Sequence, residues 1–145
     1  MKIGIGCDHG GVNHKEAIKE HLTAIGHEVI DYGTERDVPA DYPDIAEKVS
    51  RAYLGGKFDR GILICGTGIG MSIAANKIDG IRAAHVTDTF SARMSREHNN
   101  AQIICLGERI TGPGLAIDIV DAYLESEFAG GRHQRRVDKI MNLEK

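Results

Sequence analysis

Short apolar runs alternate with amphipathic stretches along the whole chain. Residues 2–7 read as a strand, and 13–25 as a helix with Ile18, Leu22 and Ile25 on one face. Gly26 is a stop for that helix. A second strand is predicted over 28–32. A helix over 42–53 has Pro43 in its first turn and Gly55-Gly56 at its end. Residues 60–65, Arg-Gly-Ile-Leu-Ile-Cys, read as a third strand that is fully buried. A helix is predicted over 69–76, a strand over 82–86, a helix over 88–97 and a strand over 103–106. The helix over 113–126 presents Leu115, Ile119, Ala122 and Tyr123 on its inner face. Beyond Gly130-Gly131 a last helix carries Val137, Ile140, Met141 and Leu143.

This is a βα unit five times over, plus a terminal helix. Strands that are apolar throughout belong in a parallel sheet covered on both faces. Five strands are too few for a closed eight-stranded barrel. The expected fold is therefore α/β: a Rossmann-like five-stranded parallel sheet in a three-layer αβα sandwich, one domain over 1–145. The expected strand order is 2-1-3-4-5. In such a sheet a ligand sits outside the carboxyl ends of the strands, near the switch point. Here that lies between strands one and three. Their ends carry Cys7-Asp8-His9-Gly10-Gly11 and Cys65-Gly66-Thr67-Gly68-Ile69-Gly70.

Composition narrows the function. A chain of 145 residues can bury about 68–70% of the surface exposed when unfolded. Hydrophobic content of 41% and charged content of 27% suit a soluble globular domain. A net charge of −3 has no basic excess, which argues against nucleic acid as a partner. No run is long enough to span a membrane, and the start lacks the apolar stretch of a signal peptide. Cys7, Cys65 and Cys105 are widely spaced and odd in number, so no disulfide framework is expected. Reduced thiols point to the cytoplasm. Seven histidines are present without HxH or HExxH spacing, so no metal is expected.

Gly66, Gly68 and Gly70 alternate between a buried strand and a helix. Their backbone amides can approach a ligand closely and stabilise negative charge; a plain strand-to-helix turn would need only one glycine. There is no GxxxxGK[ST], and the third glycine of a dinucleotide fingerprint would fall on Met71. Gly4-Ile5-Gly6-Cys7-Asp8-His9-Gly10 is a near miss, with Asp31 where a ribose-binding acid could stand, but Gly4 lies inside the strand and Asp8 would oppose a pyrophosphate. Cys65 can be a buried small hydrophobe or, among converging amide dipoles, a base or nucleophile. Cys7 and Cys105 read as core. Asp8 and His9 fit either helix capping and solvent or the polar groups of a ligand. His98-Asn99-Asn100 fits a helix end. Arg132 and Arg136 share one helix face and fit either solvent or a phosphate.

Together these segments resemble the ribose-5-phosphate isomerase B family, within a larger group that includes galactose-6-phosphate isomerase subunits. The matching segments are Gly6 to Gly11, Asp41-Tyr42-Pro43, Ile64 to Lys77, Ser95-Arg96-Glu97-His98-Asn99-Asn100, and Gly130 to Val137. They span nearly the whole chain, and the cysteine-loop segment is the most specific. The resemblance implies an aldose–ketose isomerase acting on a sugar phosphate through an enediolate, without cofactor or metal. It implies Cys65 as the base, with Thr67 and the amides of Gly66, Gly68, Ile69 and Gly70 stabilising the enediolate. It implies His98, helped by Asp8, in ring opening, and Asn99 on substrate hydroxyls. His9, Arg109, Arg132 and Arg136 would hold the phosphate. A homodimer with sites shared between copies is implied, with a tetramer left open.

One branch of the family uses a Glu after the glycine loop as base; Met71 stands there and cannot accept a proton. Asn13-His14-Lys15 replaces a more apolar family pattern and reads as surface variation. Six-carbon sugar phosphates are the alternative substrates, although galactose-specific subunits tend to lose the His98-Asn99 motif. A non-enzymatic nucleotide-binding module is the remote alternative.

Overall fold

The computed structural model describes all 145 residues. In chain order the elements are β1 (Lys2–Cys7), α1 (Val12–Ala24), β2 (Glu28–Asp31), α2 (Tyr42–Leu54), β3 (Arg60–Cys65) and α3 (Ile69–Ala75). Then come β4 (Ala83–His85), α4 (Thr89–Glu97), β5 (Ile103–Gly107), α5 (Pro113–Glu125) and α6 (Arg132–Asn142). All neighbouring strands are parallel. Side chains alternate across the sheet, so β3 sends Ile62 and Ile64 into one apolar layer and Leu63 and Cys65 into the other. The first layer is closed by Ile18 and Leu22 of α1, Ala92 of α4 and Ile119, Val120 and Tyr123 of α5. The second is closed by Ile45 and Val49 of α2 and by Met71 and Ala75 of α3. This is the expected α/β sandwich.

The strand order is β2-β1-β3-β5-β4, not 2-1-3-4-5. Burial gives the reason. Every residue of β5 is buried, whereas the three residues of β4 are half-buried or exposed. The apolar strand takes the interior and the short one takes the edge, where unpaired backbone faces outward. The exchange leaves β1 and β3 adjacent, so the predicted crevice between them stands.

Helix faces differ in detail from the periodicity. On α5 the buried residues are Ala116, Ile119, Val120 and Tyr123, while Leu115 is exposed. Ile25 is also exposed, and on α6 only Val137 is buried, with Ile140 and Leu143 facing out. The reading of Asn13-His14-Lys15 as surface variation holds only for Asn13, which is exposed. His14 and Lys15 are buried. Nε2 of His14 bonds to the Thr111 carbonyl at 2.6 Å, and its backbone amide donates to Glu108 at 2.7 Å. Nζ of Lys15 donates to the Thr34 carbonyl at 2.5 Å and pairs with Asp31 at 2.9 Å. Lys19 pairs with the same carboxylate at 2.7 Å.

These contacts also close the dinucleotide near miss. Asp31 is engaged by two lysines rather than free for a ribose. A Cβ on Gly4 would lie 2.4 Å from the Phe58 ring, so that glycine serves strand packing.

Burial works against ionisation of Asp31, but hydrogen bonds from Lys19, the Gly33 amide and Lys15 outweigh it and hold the carboxyl below its usual range. A depressed carboxylate stabilises the fold above its unfolded pKa of about 3.9, and that contribution fades as pH falls through the lower folded value. Urea denaturation of wild type and Asp31→Asn should therefore differ most at neutral pH and converge in acid below that range. Lys15→Ala, which strips a buried cation from its partners, should cost about 3 kcal/mol at pH 7.

Candidate active site

Strand β3 ends at Cys65, and the chain turns at once through Gly66, Thr67 and Gly68 into α3. Gly68 makes this turn at φ +82°, a left-handed conformation that glycine tolerates. A Cβ there would also lie 2.8 Å from the backbone carbon of Leu106. The turn brings the Gly68 amide onto Sγ of Cys65 at 3.0 Å. The Ile69 amide donates to Oγ1 of Thr67 at 3.2 Å. From the neighbouring strand, the amides of Glu108 and Arg109 donate to the carbonyls of Cys65 and Gly66, at 2.9 and 3.0 Å. These bonds lay Arg109 alongside Gly66, where a Cβ would meet its Cδ at 3.5 Å.

Strand β1 delivers Asp8 to the same edge. Its Oδ1 accepts the Gly10 amide at 2.8 Å, which pins the carboxylate in the turn. That turn lies against the glycine loop: a Cβ on Gly10 would be 3.4 Å from the Gly66 nitrogen. Between them opens a cleft of about 440 Å³ lined by Asp8, Tyr42, Cys65, Gly66, Thr67, Ile69, Gly70 and Ile73. His9 and Arg109 are exposed on the flanking turns. Cys65 is 5% exposed. Burial pushes the Cys7 thiol up to about 12 and raises that of Cys105 as well. No three His, Cys, Asp or Glu side chains converge as a metal site would require.

His98, Asn99, Arg132 and Arg136 do not reach this cleft. Helix α4 runs back along the sheet, and His98 caps its far end. Arg82, just before β4, donates to the carbonyls of Asn99 and Asn100, both at 2.9 Å, and the Gly61 amide at the start of β3 bonds to Gln102. These residues therefore lie at the amino edge of the sheet. Cys65 is at the carboxyl edge, about 16 Å away along a six-residue strand.

The second group is coherent in itself. The His98 ring stacks on that of His133, with centroids 4.2 Å apart and planes at 9°. Desolvation first, then His98 and the charges of Arg132 and Arg136, lower the His133 pKa. The protomer thus carries two groups of candidate residues on opposite edges. Missed in the sequence were His133, the cleft residues Ile73 and Tyr42, and His85, whose Nε2 lies 2.8 Å from the Thr67 carbonyl. Tyr42 had a signal in its Asp-Tyr-Pro segment and His133 in its cationic run; His85 had none.

A sequence profile of the ribose/galactose isomerase family matches residues 3–140. The chain belongs to that family. Among curated relatives of this isomerase family, ribose-5-phosphate isomerase B of Escherichia coli is 50% identical, covering 99% of this chain and 96% of its own. The structure of Clostridium thermocellum ribose-5-phosphate isomerase B superposes with a TM-score of 0.97 at 58% identity, covering 99% and 97% of the two chains. That of Mycoplasma genitalium ribose-5-phosphate isomerase B, with bound ribulose 5-phosphate, gives 0.92 at 43% identity, covering 99% and 95%.

Gly68→Ala tests the turn that forms one wall of this cleft. The left-handed φ and the overlap with Leu106 should cost about 2–3 kcal/mol. Thermal denaturation should show a clear fall in Tm, and Cys65 should lose its backbone donor.

Proposed function

We propose that this protein interconverts ribose 5-phosphate and ribulose 5-phosphate, as an aldose–ketose isomerase of the pentose phosphate type. The observation that carries the reading is the Cys65 thiol held by the Gly68 amide in a cleft with Asp8. Moving a proton between the two sugar carbons needs a base close to its operating pKa and a site for the oxyanion that develops. A base contributes typically about 10²–10⁴-fold, so the oxyanion site and the phosphate clamp carry much of the rest.

In the proposed reaction, His98 protonates the ring oxygen, the C1–ring-oxygen bond breaks and the anomeric hydroxyl releases its proton to solvent, which opens the sugar to its aldehyde. The Cys65 thiolate takes the proton from C2, and the electron pair moves to make the enediolate. Thr67 and the loop amides of Gly66 and Gly70 face the developing charge, while the Gly68 amide serves the sulfur and the Ile69 amide holds the Thr67 hydroxyl. The thiol then returns its proton to C1 while the proton of the C2 hydroxyl passes to the C1 oxygen, giving the ketose. Asp8 assists His98, and Asn99 binds hydroxyls. His9, Arg109, Arg132 and Arg136 hold the phosphate, Arg matching its oxygens in bidentate fashion. No residue at Met71 competes for the role of base. No cofactor takes part.

The two half-sites lie on opposite edges of one protomer, so this mechanism requires a second copy to complete each cleft. The proposed unit is a homodimer of single-domain chains with two shared sites. Exposed apolar side chains at the cleft, Tyr42, Ile69 and Ile73, support coverage by that copy. The proposed setting is the cytoplasm, where the three free thiols stay reduced. No helix is long and apolar enough to cross a membrane.

A coupled assay on ribose 5-phosphate beside allose and galactose 6-phosphates should show the highest kcat/KM for the pentose. Cys65→Ala should keep its circular-dichroism spectrum and lose at least about 10³-fold in turnover. Retained turnover in a folded variant would remove Cys65 from its role.

The shared site has its own test. Cys65→Ala and His98→Ala should each be inactive. Mixed, unfolded and refolded together, they should recover about one quarter of wild-type activity, because half the dimers are mixed and each has one intact site of two. No recovery from a folded mixture would show both residues acting within one chain.

A further inference from the structure

One peptide unit, Thr67–Gly68, makes two hydrogen bonds of opposite sense. Its N–H donates to Sγ of Cys65 at 3.0 Å. Its carbonyl oxygen lies 2.8 Å from Nε2 of His85. A carbonyl can only accept, so Nε2 carries the proton and donates. His85 ends β4, the edge strand, and its ring also covers the turn: a Cβ on Gly68 would lie 2.9 Å from its Cδ2. A glycine peptide has little orientational preference of its own. Its plane is fixed by what it bonds, and one of those partners is His85.

We propose that His85 is a positioning residue for Cys65. Through the Thr67–Gly68 peptide it aims and polarises the N–H that bonds the sulfur. His85 does not line the cleft, so it works without touching substrate. Hydrogen bonds in series strengthen one another, because a carbonyl that accepts makes the N–H of the same peptide a stronger donor. A stronger donor favours the charged form of its acceptor. The titratable groups around the thiol are Asp8 and Tyr42 across the cleft, Arg109 beside Gly66, and Cys105 on β5. Cys105 is also the register partner of His85. None of these reaches the Gly68 amide, so His85 has a route to the sulfur that the others lack. The inference rests on Cys65 being the base.

The test replaces His85 by Leu, which removes the donor, and by Gln, which keeps an N–H at similar reach. The first readout needs no turnover: the rate of Cys65 alkylation by iodoacetamide as a function of pH, with the modified residue identified by peptide mass. His85→Leu should move this profile to higher pH, and His85→Gln should restore it. In the isomerase assay His85→Leu should lose about fivefold in kcat with KM changed by less than about twofold. An unshifted alkylation profile in folded His85→Leu overturns the proposal. Should that variant not fold, nitrogen NMR of the wild-type ring decides, since a proton on Nδ1 instead of Nε2 overturns it and one on Nε2 sustains it. Turnover retained in Cys65→Ala would instead strike the base assignment, leaving the effect of His85 on the thiol standing.

Discussion

In a parallel sheet each crossover helix must run back against its strands, so strand-to-helix turns and helix-to-strand turns come out on opposite edges. Cys65 and Asp8 stand at the ends of strands. His98 and Asn99 stand at the end of a helix. No packing of one chain can bring them together without breaking that rule. The separation of the half-sites is a consequence of connectivity, and the dimer proposed for the shared site derives from it. The same constraint makes each half-site easy to build, because each is a turn that the fold needs anyway.

Within the carboxyl edge, the main-chain amides are divided between uses. Gly68 turns with a left-handed φ and gives its N–H to the sulfur; Ile69 gives its own to Thr67. The loop is held from the β5 side by Glu108 and Arg109 and from the β4 side by His85. Helix α3 has seven residues, and a short helix contributes a small dipole. What meets the Cys65 sulfur is an individual amide, that of Gly68, rather than the helix as a whole. That is why a glycine at 68 and a hydrogen-bond donor at 85 bear on the setting of the thiol.

The elements and the carboxyl-edge crevice were legible because strong periodicity and glycine punctuation agree with the tertiary packing. The glycine loop after a buried strand could be read as an anion site, and the family segments supplied the roles. The exchange of β4 and β5 was not read, although Ile-Ile-Cys-Leu against Ala-Ala-His is a burial signal once edge and centre are compared. Asn13-His14-Lys15 was misread because polarity was taken for exposure. A buried lysine is tolerated where a carboxylate and a carbonyl meet it, and those come from Asp31 and Thr34, distant in sequence. His85 was invisible for the same reason: its partner is a backbone carbonyl, which carries no residue signature.

Exposure at the two edges completes the physical picture. Tyr42, Ile69 and Ile73 leave apolar surface around a cleft whose base is a nearly buried thiol. The His98–His133 stack stands among arginines that are exposed. An apolar rim gains by excluding water, and a cationic group gains strength toward an anion when water is excluded. Bringing the one against the other would serve both at once: the rim is covered, the arginines face a phosphate in a drier setting, and the enediolate forms where loop amides act with less screening. On this view subunit association and transition-state stabilisation draw on the same burial. A change that loosens the rim would then act on turnover even though no rim side chain moves a proton.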